Sequence, residues 1–171
     1  MKKTDLAYVA GIIDGEGSIS ILRCDNESNK QYKSFKLRVI VTNTNEWLIQ
    51  WLVFAFGGSI GCRPGKASHQ PYFSWTLYGS QGAKFLQLIL PYLKLKRPQA
   101  EIAITFQQNK SLRGRRRRTE EQKAIEEAQH IVLAKIHGHG AARRSMSLKS
   151  YWASKSPPEA HPNDPRTEEL H

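Results

Sequence analysis

The chain has 171 residues, 26 lysines and arginines against 15 acids, a formal net charge of +11, and 39% hydrophobic residues. That length makes one domain with a buried core, no run nears the ~20 apolar residues of a membrane span, and MKKTDLAYVA lacks a signal peptide's apolar stretch. Cys24 and Cys62 alone indicate neither a disulfide scaffold nor a four-ligand zinc site and suit a reducing, intracellular setting, while the positive field selects polyanions, nucleic acid before acidic membrane.

Leu6, Val9, Ala10 and Ile13 fall at i, i+3, i+4 and i+7, predicting an amphipathic first helix with Thr4 or Asp5 placed to cap it. Ala7, Gly11 and Gly15 fall at i, i+4 and i+8 and make a second face almost without side chains. Two glycines in a short helix cost about 1 kcal/mol each relative to alanine. A second helix packed on that face would offset the loss. Asp14 in the last turn and Glu16 just past it stand where free carbonyls and the negative helix end repel an anion. A cation would relieve this. Two copies packed through their small faces would bring two Glu16 carboxylates together beside backbone carbonyls such as that of Gly15, hard oxygen ligands that suit Mg2+. The plainer alternative for Val9 to Gly17 is a buried helix followed by a glycine turn.

Residues 17–24 alternate, with Ile19 and Ile21 against Ser18, Ser20 and Leu22, as in a half-buried strand. Residues 25–31 are polar turn material. In 34–43, Phe35, Leu37, Val39 and Val41 point one way and Lys36, Arg38 and Thr42 the other, with Ile40 as the exception. The hairpin therefore has an apolar face and a basic one. Trp47, Leu48, Trp51, Leu52 and Ala55 mark a second helix ended by Gly57 and Gly58, its tryptophans read as core in preference to base-stacking platforms.

In a second hairpin, Ile60, Cys62, Phe73, Trp75 and Leu77 should face the core and Arg63, Tyr72, Ser74 and Thr76 the outside, with Lys66 and His69 in the connection. Residues 80–93 form a third helix with Phe85, Leu86, Ile89 and Leu90 inward, and Pro98 opens a further segment through Phe106. The order helix, two strands, helix, two strands, helix is an α+β unit, one four-stranded antiparallel sheet backed by helices.

Residues 113–118 hold five arginines that repel one another, a solvated hinge unless polyanion binds. Thr119 and Gln122 make a capping box for a C-terminal helical extension with Ile125, Ala128, Val132 and Ile136 on one face. His130, His137 and His139 fit no zinc spacing and read as surface histidines, and His69 as a solvated loop residue. Arg143, Arg144 and Lys149, among serines, suit phosphate contact. The division expected is a core over 1–112, a basic hinge, helix and loop over 113–150, and a tail over 151–171, proline-rich and acidic from Ser156, that reads as disordered.

Val9 to Gly17, VAGIIDGEG, resembles the signature of the LAGLIDADG homing endonucleases in all nine positions, with Glu16 where the family name has Asp. The likeness is to single-motif members of the chloroplast-intron type and implies their helix-strand-strand-helix-strand-strand-helix fold. It also implies homodimeric, Mg2+-dependent cutting of both strands of a long pseudo-palindromic duplex, with Mn2+ as another hard cation. The family carries a polar residue at the end of the second strand and a lysine in an LKLK segment, here Asn43 and Lys96, which with Glu16 make the implied catalytic set. Glutamine is usual at the position of Asn43, and an arginine is usual where Thr44, Asn45 and Glu46 stand. From its residues alone, Lys96 also reads as a lysine at a helix end.

The basic sheet face is the candidate DNA-reading surface: Ser20, Leu22, Lys36, Arg38, Ile40, Arg63, Tyr72, Ser74 and Thr76, with Cys24, Lys33 and Lys66 near the hairpin tips. A solvated face is the alternative. The expected partners are double-stranded DNA and a second copy, with no membrane and no small-molecule substrate, inside the compartment that holds the target. A non-cleaving nucleic-acid-binding protein on the same fold, an intron splicing factor or maturase or a repressor, is the alternative function.

Overall fold

The computed structural model describes residues 2–26, 29–64, 70–113 and 117–142, with the backbone alone for 25, 26, 29–33, 113 and 137–142. The elements run α1 (Lys3–Glu16), β1 (Gly17–Asn26), β2 (Asn29–Asn43), α2 (Glu46–Phe56), β3 (Ser59–Arg63), β4 (Tyr72–Tyr78), α3 (Gly79–Ile89), a 3-10 turn (Leu90–Tyr92), α4 (Arg97–Arg113) and α5 (Glu120–Ala142). The four strands form one antiparallel sheet in the order β1-β2-β4-β3. The expected α+β order is present. One compact unit runs to Ile136 and takes in most of α5 together with the elements before it.

Strand alternation decides which face is dry. Ile19, Ile21, Phe35, Leu37, Val39, Val41, Trp75 and Leu77 are all within 3% of full burial. Against them pack Val9, Ala10 and Ile13 of α1, Leu48, Ile49 and Leu52 of α2, Phe85, Leu86 and Ile89 of α3, and Ala103 and Phe106 of α4. Phe56, Trp75 and Phe85 meet as tilted and edge-on rings with centroids 4.9 to 6.2 Å apart, and the Trp75 indole donates to the Gly57 carbonyl at 2.7 Å.

Local expectations are corrected at several places. Asp5 sits inside α1 and accepts from the Lys2 N–H at 3.0 Å, so Lys2 is the cap residue. The first hairpin extends to Asn26 and restarts at Asn29, leaving a shorter turn than residues 25–31. The third helix ends at Ile89 and α4 continues past Phe106 to Arg113. Ile60 and Cys62 fall on the helical side by register, yet Ile60 is 48% exposed and Cys62 is exposed, because β3 is an edge strand with a neighbour on one side only and the helices cover it incompletely.

Trp47 is 68% exposed and Phe54 92%, while Trp51 is half-buried against Tyr8. A helix apolar nearly all round can bury only one stripe, here Leu48, Ile49 and Leu52. In α5 the stripe Ile125, Ala128 and Val132 faces outward, and the buried positions are Glu126 and Leu133. The Thr119–Gln122 capping box forms with both bonds at 3.2 Å. Arg118, expected in a solvated hinge, is buried in an ion pair with Glu126 at 3.0 Å, side chains 5% and 10% exposed. Residues 114–116 lie outside the described ones, as does His69; for His137 and His139 only the backbone is described.

His130 is not a free surface histidine: its Nδ1 lies 2.6 Å from the carbonyl of Ile21 and its ring packs on Phe35. Ile21 is on edge strand β1, whose outer carbonyls have no strand partner, so α5 supplies one.

Gly17 joins α1 to β1 with no intervening loop. A Cβ there would stand 2.8 Å from both the Cα and the carbonyl oxygen of Ile13. Gly17→Ala is therefore expected to cost about 1–3 kcal/mol through backbone overpacking, visible as a Tm lowered by roughly 2–4 °C per kcal/mol. An unchanged Tm would mean the junction relaxes without cost.

Candidate active site and nucleic-acid interface

The C-terminal end of α1 is where the chemistry-bearing residues gather. Asp14 turns its carboxylate to the loop before α4 and accepts three backbone N–H groups, from Lys94 at 2.7 Å, Leu95 at 3.2 Å and Lys96 at 2.9 Å. Lys96 returns the contact: its ammonium donates to the carbonyls of Ile13, at 2.9 Å, and of Asp14. A cation on the last free carbonyls of a helix offsets their negative end. Burial pushes the Lys96 pKa below a lysine's ordinary value, and the Asp14 carboxylate holds it up against that.

With Asp14 engaged, Glu16 is the carboxylate left at the helix end. It is exposed, and its Oε2 accepts from Nδ2 of Asn43 at the close of β2. Helix α1 thus ends where β1 begins and β2 finishes, and Glu16, Asn43 and Lys96 share that corner. Among the described residues there is no group of three or more His, Cys, Asp or Glu side chains able to hold a metal. One chain alone contributes Glu16 and backbone carbonyls such as that of Gly15.

Beside this corner Ala7, Gly11 and Gly15 are all exposed, and a Cβ built on Gly11 or Gly15 meets nothing within 4 Å. Among the described residues nothing covers the small face.

The open face of the sheet carries the side chains that alternate with the core. Ser20, Leu22, Arg38, Ile40 and Ser74 are half-buried there, and Lys36, Arg63 and Tyr72 are exposed. Thr76 shares the face but is only 8% exposed, because its cross-strand neighbours Ile40 and Ser59 close over the central strand. Cys24 is exposed on β1 near the hairpin end. Ser20 and Arg38 face each other across β1 and β2, and each keeps a buried polar atom, Oγ and Nε, without a hydrogen-bond partner. Lys33 lies on β2 with its backbone alone described, and Lys66, Arg143, Arg144 and Lys149 lie outside the described residues.

Two residues of this region escape a local sequence reading. Tyr78 closes the alternation Tyr72, Ser74, Thr76 on β4 and carries the Lys36 ammonium 4.0 Å above its ring; extending the strand by one residue would have found it. Asp14 has no local signal, since its partners lie about eighty residues away.

No protein-family model matches the sequence, and no curated protein sequence matches it. In three dimensions the chain is similar to homing endonucleases. The structure of I-CvuI in complex with its target is 17% identical over 78% of this chain and 80% of that one, with a TM-score of 0.62. The archaeal intron-encoded I-Vdi141I complexed with DNA is 16% identical over 80% and 86%, TM-score 0.65. The LAGLIDADG homing endonuclease I-SmaMI bound to cleaved DNA is 20% identical over 74% of this chain and 42% of that one, TM-score 0.57. The chain has the LAGLIDADG fold.

Because the folded pKa of Lys96 is lowered, the unfolded chain binds the extra proton between the two values, so this lysine's contribution to stability rises with pH across that window. Asp14→Asn removes the charge that holds the value up. The Nζ resonance of Lys96, followed by NMR, should titrate below other lysines in the native protein and lower still in Asp14→Asn. A Lys96 value unmoved by Asp14→Asn would show the two to be electrostatically independent.

Proposed function

We propose that this chain, on its LAGLIDADG fold, is a metal-dependent DNA endonuclease that acts as a homodimer on both strands of a long, nearly palindromic duplex. The single observation that supports it most is the gathering at the end of α1 of the Glu16–Asn43 contact and of Lys96 on the Ile13 and Asp14 carbonyls, beside a small helix face left uncovered among the described residues. A twofold axis along that face would join two Glu16 carboxylates and two Gly15 carbonyls. This is a hard oxygen set that fits Mg2+ or Mn2+, and the described residues of one chain alone hold no group of three or more ligating side chains. When bound there, such an ion supplies an activated water and stabilises the leaving oxygen. Glu16 holds the ion, and Asn43 fixes one of the Glu16 oxygens. Lys96 is the cation available to the phosphate once DNA draws it from the Ile13 and Asp14 carbonyls.

The open sheet face supplies the DNA contact. Lys36, Arg38 and Arg63 lie among Ser20, Ser74 and Tyr72, and the buried Ser20 Oγ and Arg38 Nε have no partner, so a shift of the Arg38 side chain toward a bound duplex would cost no hydrogen bond at its Nε. Cys24, Lys33, Leu22, Ile40, Thr76 and Lys66 belong to the same surface in this reading, with Arg143, Arg144 and Lys149 on phosphates. The protein works inside whatever compartment holds its target, encoded within an intron or similar mobile element. A second reading, binding without cutting as a splicing factor or repressor, is favoured by the engagement of Lys96 on two carbonyls and the lack of arginine at residues 44–46.

A target selected from a random duplex library should be cut in Mg2+ and bound uncut in Ca2+ or chelator. Glu16→Gln should remove cutting while leaving affinity within a few-fold, because it deletes a charged ligand at nearly constant volume. Cleavage by Glu16→Gln near the native rate, or full cutting in chelator, would overturn the assignment; binding by the native protein with no cutting would select the second reading.

Gly11→Leu separates the seam from the fold. A Cβ at Gly11 meets nothing within 4 Å among the described residues, and leucine gains about 0.8–1 kcal/mol of helix propensity over glycine, so the monomer should fold at least as well. Sedimentation should show loss of the dimer together with loss of double-strand cutting. A Gly11→Leu protein that sediments as a dimer would exclude the small face as the seam.

A further inference from the structure

The Glu16 side chain is held at one end. Its Oε2 takes a hydrogen from the Asn43 amide, and Asn43 in turn presents Oδ1 to the backbone N–H of Asn45 at 2.8 Å. An N–H accepts nothing, so the Asn45 amide decides which way round the Asn43 side chain stands, oxygen toward Asn45 and NH2 toward Glu16. Asn45 is itself fixed, because it caps α2 and its Oδ1 receives the Leu48 N–H at 3.2 Å. A one-way chain of donors therefore runs from the start of α2 to one oxygen of Glu16. Among the described residues the other oxygen, Oε1, has no partner.

We infer that Asn43 is a positioning residue for Glu16: the α2 cap orients its amide, the amide immobilises Oε2, and Oε1 is left presented to a divalent cation. A carboxylate held by a neighbour's hydrogen bond meets a cation already oriented, and such outer partners are commonly worth about 10–100-fold in metal affinity or activity. The inference rests on Glu16 being a metal ligand. The distance between the end of α1 and the end of β2 is bridged by one glutamate and one asparagine. Shortening the acid and lengthening the amide by one methylene each should restore the same span.

Four variants test it: Asn43→Leu, which keeps the size but removes the donor facing Glu16 without adding charge, then Glu16→Asp, Asn43→Gln and their combination. The readouts are Ca2+ uptake by the protein–DNA complex in calorimetry, DNA affinity, and cutting in Mg2+. Asn43→Leu should lose about 10–100-fold in Ca2+ affinity and in cutting rate, with DNA affinity within about twofold. Glu16→Asp and Asn43→Gln should each fall similarly, and the double variant should recover to within a few-fold of native. Native Ca2+ affinity in Asn43→Leu, or a double variant as weak as the product of the single losses, would overturn the inference while leaving the endonuclease reading in place. If the native protein neither cuts nor takes up Ca2+, the endonuclease reading fails and the presentation of Oε1 to a cation falls with it; a double-mutant cycle on urea unfolding of the metal-free protein then tests the Glu16–Asn43 contact alone, an absence of coupling overturning it.

Discussion

The rest of the structure depends on how the C-terminal end of α1 is neutralised. A helix end already presents unpaired carbonyls and partial negative charge, and Asp14 adds a full negative charge at that place. The segment before α4 answers both. Its three amides surround the Asp14 carboxylate, and the Lys96 ammonium covers the carbonyls of Ile13 and Asp14. Hydrogen bonds to an ionised group are individually worth about 1.5–3 kcal/mol, more than neutral ones, so this exchange ties the first helix to the loop that opens α4. It also consumes Asp14, which leaves Glu16 as the acid turned outward at the helix end.

The immediate passage from helix to strand follows from the same constraint. Gly17 lets β1 leave the last turn without a Cβ against Ile13, and the acid is thereby delivered to the corner where β1 starts and β2 stops. Asn43 closes that corner from the other side. The apolar face of the sheet is committed to the helices, so the opposite face remains available, with its basic and hydroxyl side chains in register across three strands. Buried polar atoms left without partners there, on Ser20 and Arg38, each cost about 1–3 kcal/mol if nothing meets them.

Much of the chain was legible because its signals are local. The period of two over β1, β2 and β4 assigns inside and outside from the side-chain sequence alone, and the capping box at Thr119 and Gln122 marks a helix start within four residues. The failures share a cause. In α2, aromatic and aliphatic residues circle the whole helix, so periodicity could not say that Trp47 and Phe54 face outward. In α5 the cleaner apolar stripe stands exposed, because Arg118 makes Glu126 tolerable inside and the Ile21 carbonyl gives His130 a partner. For Ile60 and Cys62 the alternation was right and the cover was incomplete, a property of strand order.

The amino-acid sequence by itself determined the order of elements, the two faces of the central strands and the motif helix with its small face and two acids, since each is encoded within a few residues by side-chain period and capping chemistry. Only the tertiary structure decided which acid was consumed and which was presented. Asp14 meets its amides across about eighty residues of chain and Glu16 meets Asn43 across twenty-seven. Bonds closed over such separations leave no periodic trace in the sequence, because they depend on where packed elements end in space.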